Sequence, residues 1–144
     1  MAKRKPQDTR YTNTDLDLKS ASPFAILRDE LEASCTLLHY THGDDNNWHA
    51  IVESRYPDEE HTDDRTAAMD IRLMLNVIQK LSSKAKVQLR QCYMKEFNIG
   101  FDCWDTWSFV HSLPADILRE ISDYSCSVAV TLYPMRDTDG KPKD

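Results

Sequence analysis

The sequence predicts an α+β domain: a ferredoxin-like or related sandwich, with a mixed sheet of four to five strands and helices packed on one face. Three observations predict it. In the last third, residues 97–101 (Phe-Asn-Ile-Gly-Phe) alternate like a strand, residues 113–121 are spaced like a helix, and residues 127–133 alternate again. In the first half, residues 35–41 and 48–56 flank His42-Gly-Asp-Asp-Asn-Asn47, whose Gly, Asp and Asn tolerate the backbone angles of a hairpin turn. Between these regions Ala67, Ile71, Met74, Ile78 and Leu81 recur at spacings of four and three, with Leu75 widening the stripe, as in an amphipathic helix.

The elements follow in order. Residues 1–13 are polar and basic and read as a flexible tail, ahead of a single domain over 14–134 and a charged tail over 135–144. Residues 15–19 alternate and give the first strand. Ser22 followed by Pro23 signals a helix start, because Ser accepts from the first free amides and Pro lacks the amide that would go unpaired. Phe24, Leu27 and Leu31 then share one helical face. After the hairpin, 57–64 is a polar acidic connection. Asp64 or Thr66 caps the long helix, and Lys80, Lys84 and Lys86 gather at its end, where the helix dipole favours cations. Residues 87–91 alternate and are expected to be a strand. Residues 92–101 continue extended, either as one bent strand or as a second strand after a break. Pro114 opens a third helix carrying Ile117, Leu118, Ile121 and Tyr124, and Val128, Val130 and Leu132 form one face of the last strand. The predicted order is β-α-β-β-α-β-α-β.

A chain of 144 residues, 40% hydrophobic and 29% charged, is an ordinary globular composition and is long enough to bury one core. The basic start has no apolar segment behind it, which places the expected site of action in the cytoplasm. Four cysteines (Cys35, Cys92, Cys103 and Cys126) without close spacing read as reduced core thiols in that compartment. The net charge of −6 is unevenly spread: residues 44–65 hold eight acids and two arginines, whereas 72–95 hold six bases and no acid.

Candidate chemistry is sparse. His39, His42, His49 and His61 lie in the hairpin region, but His39 and His42 point to opposite strand faces, and His39 with His49 makes only two ligands where zinc needs three or four. The acidic run 58–64 has no Gly for a calcium loop. Cys103 and His111 are the only nearby thiol–base pair, with Asp102 and Asp105 to orient, and nothing forces them together. There is no phosphate loop, nucleophile elbow or zinc-protease motif. No enzyme, metal or cofactor is therefore expected. Lys80, Lys84, Lys86, Arg90 and Lys95 raise an RNA-binding alternative, but the strand expected at 87–91 lacks an aromatic pair for stacking bases. Trp104, Trp107 and Phe109 form an aromatic-rich loop that is either core or contact patch.

The strand 48–54 led by Trp48, the long helix, Phe97-Asn-Ile-Gly-Phe101, Leu113-Pro-Ala-Asp-Ile-Leu-Arg-Glu-Ile121 and Val128-Ala-Val-Thr-Leu-Tyr-Pro134 together resemble a family of small bacterial domains of unknown function. The resemblance spans roughly residues 15–134 and departs near the start, where a tryptophan-containing segment usual before the hairpin is missing. Such domains are of the kind found as immunity proteins beside polymorphic or secreted toxins, and they bring no active-site residues to transfer. The resemblance implies a binding protein that neutralises a cognate toxin. Charge implies a basic partner met through an acidic surface. The partner-binding residues expected on this reading are Asp44, Asp45, Asp58, Glu59, Glu60, Trp104 and Trp107.

Overall fold

Thr14, Leu16, Leu18 and Ser20 alternate with Asp15, Asp17 and Lys19. This period of two makes Arg10–Ser20 the first strand, β1, with the former set buried. The computed structural model describes residues 9–56, 65–104, 108–135 and 139–141. Its elements continue as α1 (Ala25–Ser34), β2 (Cys35–His42), β3 (Trp48–Ser54), α2 (Ala67–Gln79), α3 (Ser83–Gln91), β4 (Met94–Cys103), α4 (Ala115–Asp123) and β5 (Ser127–Pro134).

The five strands lie in the order β2-β3-β1-β4-β5. The first four pair antiparallel, with β1 between β3 and β4. That is the interleaved order of a ferredoxin-like sheet. The segment from α4 to β5 extends it, adding β5 parallel to β4 as a strand–helix–strand connection requires. The expected α+β class with a mixed sheet is the observed one.

All four helices contribute to one buried cluster with a single face of the sheet. Leu27 and Leu31 of α1, Ile71, Met74, Leu75 and Ile78 of α2, Ala85 and Leu89 of α3, and Ile117 and Ile121 of α4 meet Leu16, Leu18, Ala50, Val52, Phe97, Ile99 and Phe101. The stripe read from the long helix is its buried face, and Thr66 is its cap, accepting from Met69 N at 3.2 Å. Arg72 and Asp116, 3.0 Å apart, tie α2 to α4.

Three sequence expectations are corrected. Residues 87–91 are helix, not strand: Ser82 caps α3 by accepting from Ala85 N, and Ala85 and Leu89, four apart, are its buried face. Val87, which created the apparent alternation, is exposed. Lys84 and Lys86 consequently belong to α3, and only Lys80 stands at the end of α2. The first helix begins after Phe24, not at Ser22-Pro23. Its free amides are met from outside the helix, Phe24 N by the Tyr40 hydroxyl at 2.9 Å and Leu27 N by Gln88 Oε1 at 2.8 Å. Finally, β1 starts at Arg10, inside the stretch read as tail. Tyr11 is held there by Asp70 and Thr14 and by its edge-on packing against Phe101, and a bulge between Tyr11 and Asn13 keeps both Tyr11 and Thr14 facing the core.

One buried charge organises the base of the long connection. Asp70, 1% exposed on α2, accepts from the hydroxyls of Tyr11 and Tyr56 and lies 3.5 Å from Arg65, whose guanidinium also covers the Tyr56 ring. Ser54 donates to the Asp70 carbonyl at 2.7 Å. Residues on both sides of 57–64 are thus fastened to one carboxylate, the paired arrangement a buried charge requires.

Candidate functional site

The side chains opposite the helices form the other face of the sheet, and strand register determines who meets whom there. Asp15 of β1 lies between Glu53 of β3 and Asn98 of β4. Two residues along, Asp17 lies between Ile51 and Glu96. Lys19 follows, beside His49. His39 of β2 pairs with Ile51 and so flanks the Asp17 row. Four carboxylates on three adjacent strands therefore share one half-exposed surface, with Lys19 as the lysine on the same strand.

The electrostatic consequences are local. The Asp15 carboxyl is pushed up to about 7, first by burial, then by the hydrogen bond and charge of Glu53, then by Asp17. Asn13 bridges the two acids, donating to Glu53 Oε1 at 2.8 Å and Asp15 Oδ1 at 3.2 Å. The Asp17 carboxyl is also raised, by burial and by Glu96, against smaller opposing effects of His39 and Lys19. Asp17 Oδ1 is buried and has no hydrogen-bond donor among the described residues. A buried carboxylate oxygen without a donor carries a desolvation cost, in keeping with the raised Asp17 carboxyl.

The residues expected to bind a partner are distributed differently. Asp44 and Asp45 are exposed in the hairpin turn, where Asn46 takes the left-handed conformation at φ 64. Asp45 pairs with His49 at 3.1 Å, and this bond, followed by those from Asn47, lowers its carboxyl to about 2. Gly43 lets these side chains close over the turn: a Cβ would lie 2.9 Å from Asp45 Oδ1 and 3.2 Å from His49 Nε2, so both would have to shift. Because His49 projects from the acidic face beside Lys19, Asp45 continues that face to the hairpin end. Asp58, Glu59, Glu60 and Trp107 lie outside the described residues, as does His61. Trp104 is half-buried at the end of β4, its amide donating to Thr9 Oγ1 at 3.3 Å. Phe109 remains 44% exposed although its ring packs edge-on against Phe101.

The other candidates are separated by the fold. His39 and His49 face Ile51 and Thr41 respectively and are not cross-strand partners. Among the described residues no group of three or more His, Cys, Asp or Glu is placed to hold a metal ion. Cys103 donates to its neighbour Phe101's carbonyl while His111 packs on the Phe101 ring. Burial pushes the thiols of Cys35, Cys92 and Cys126 up to about 11, away from nucleophilic readiness, and all four cysteines are free. Of the basic residues, Lys86, Arg90 and Lys95 line a groove that Asp123 and Tyr124 also enter. No described helix is long and apolar enough to cross a membrane.

The partner-binding acids expected from the sequence are Asp44, Asp45, Asp58, Glu59 and Glu60; Asp15, Asp17 and Glu96 are not among them, and Glu53 is counted only in the acidic stretch of 44–65. The signal was present as alternating acids in the first strand. Only the strand order β3-β1-β4 reveals that the other two stand beside them. A scan of protein-family models, a search of curated proteins and a search of solved structures each find no match to this chain.

Proposed function

We propose that the protein is an immunity-type binding module that neutralises a basic protein toxin, seating it on the acidic sheet face continued by Asp45. The observation that carries this reading is the grouping of Asp15, Asp17, Glu53 and Glu96 on the half-exposed face. Like charges held together cost stability in the free protein. A lysine or arginine from a partner relieves that repulsion at the moment of binding, and the same field speeds the encounter. A sheet surface is also flat and rigid, so little ordering is required of the binder.

The test is co-purification with the product of the neighbouring gene, followed by association kinetics across salt concentrations. Neutralising the face by Asp17→Asn with Glu96→Gln should slow association, most at low salt, where screening is weakest. Charge reversal by Lys84→Glu with Lys86→Glu should leave the rate nearly unchanged. If the lysine reversals abolish binding and the face substitutions do nothing, the partner uses the other surface. Tight binding to RNA that weakens steeply with salt would replace this reading with the nucleic-acid alternative.

A further inference from the structure

The edge strand β5 is built differently from the edge strand at the other end of the sheet. Natural sheets blunt their edges with bulges, charges or inward-pointing polar groups, because an exposed edge is a template for another strand. β2 follows that rule: its pairing with β3 slips at Leu38, and it carries two histidines. β5 does not. Its eight residues, Ser-Val-Ala-Val-Thr-Leu-Tyr-Pro, contain no charge, among the described residues it pairs only with β4, and its register with β4 runs from Ser127 to Pro134 without a slip.

The apolar half of β5 is also uncovered. Val128, Val130 and Leu132 pair with Phe97, Ile99 and Phe101, so they lie on the core face, yet they are 39%, 57% and 59% exposed. They form one wall of a groove of about 400 Å³, with Phe109, Leu113 and Leu118 on the other side.

We propose that β5 is the interface for a second copy of this chain, pairing antiparallel with its counterpart about a two-fold axis near Val130 and Thr131. Self-pairing fits on charge. The chain carries −6 overall, which repels a second copy from most directions, whereas two uncharged strands meet without like-charge contact. It also fits on area. At roughly 150–200 Å² for a large apolar side chain, the exposed parts of Phe109, Leu118, Val128, Val130 and Leu132 come to on the order of 400 Å² per copy, and two copies together with their paired strand edges approach the roughly 1,000 Å² of a specific interface. The product is a continuous ten-stranded sheet, with the apolar grooves closed against each other. The acidic faces of both copies are on the same side and remain free, so this inference does not depend on the proposed toxin binding.

Sedimentation velocity over a concentration series tests it, using the full chain. The wild type should be a dimer. Val130→Lys, at an exposed position where the monomer tolerates a charge, should be a monomer with unchanged far-ultraviolet dichroism. Leu38→Lys on the opposite edge should remain dimeric. If Val130→Lys fails to fold, Leu118→Lys on α4 decides in its place and should be monomeric. A wild type that stays monomeric at all concentrations overturns the proposal, even if β5 is found to bind a different protein. So does a folded Val130→Lys or Leu118→Lys variant that stays dimeric, or a dimer lost only in Leu38→Lys.

Discussion

Replacing Asp15 by Asn should stabilise this protein near neutral pH, and the size of the gain follows from the sheet. Asp15 faces Glu53 on β3 and uncharged Asn98 on β4, with Asp17 next on its own strand. Glu96, Lys19 and His39 act on Asp17. Its carboxyl moves from an ordinary 3.8 to about 7. Between those values the folded protein holds a proton that the unfolded chain has released. Stability from this group is therefore lost as pH rises from about 4 to about 7, and the loss is complete above that. A tenfold change in proton affinity is about 1.4 kcal/mol, so the full displacement corresponds to about 4 kcal/mol. Asp15 is half-exposed, and solvent screening reduces this to about 1–2 kcal/mol.

Asn is the natural mimic of the protonated acid. Its carbonyl oxygen still accepts from Asn13, and its amide can donate to Glu53, where the acid's proton would. Urea unfolding at about pH 5 and about pH 8 measures the effect: acids remote from Asp15 titrate alike in both proteins and cancel, whereas Glu53 and Asp17, relieved of a charged neighbour, belong to the measured gain. The expected result is a gain of about 1–2 kcal/mol at the higher pH that shrinks toward zero at the lower, with unchanged urea dependence. An equal gain at both pH values would mean that charge repulsion is not its source. A loss at high pH would refute the reasoning outright. Above about pH 7, where Asp15 is ionised, the same variant should slow association with a basic partner, since it removes one charge of the binding face.

Ile78→Ala should cost about 2–5 kcal/mol by denaturant unfolding, because the side chain is fully buried in the one core, whereas a loss below about 0.5 kcal/mol belongs to a surface position. Asp70→Ala should cost about 3–5 kcal/mol, since it strands Arg65 and the Tyr11 and Tyr56 hydroxyls; Asp70→Asn, which keeps acceptor capacity, should cost measurably less in the same assay. Reversing Asp44 and Asp45 to Lys should leave the protein folded, with a small loss of melting temperature from the Asp45 bonds to His49 and Asn47, and should slow toxin association at low salt. Stopped-flow mixing across salt concentrations reads that rate.

Local pattern determined the elements whose periodicity is regular and long. The stripe from Ala67 to Ile78, the hairpin around 43–47 and the last strand were legible because a period of 3.6 or 2 persists over many residues. The pattern failed at 87–91, where five residues are too few to separate the two periods and a single exposed Val87 mimicked alternation. It failed at 10–13 because Tyr11 is held by partners 59 and 90 residues away, Asp70 and Phe101, which leave no local trace. The acidic site shows the same division. The sequence by itself determined that the protein is acidic in patches and that β1 alternates acid with leucine. Only the tertiary structure decided that Glu53 and Glu96 stand beside those acids, because strand order brings together residues from three separate parts of the chain, and no spacing within one strand records its neighbours.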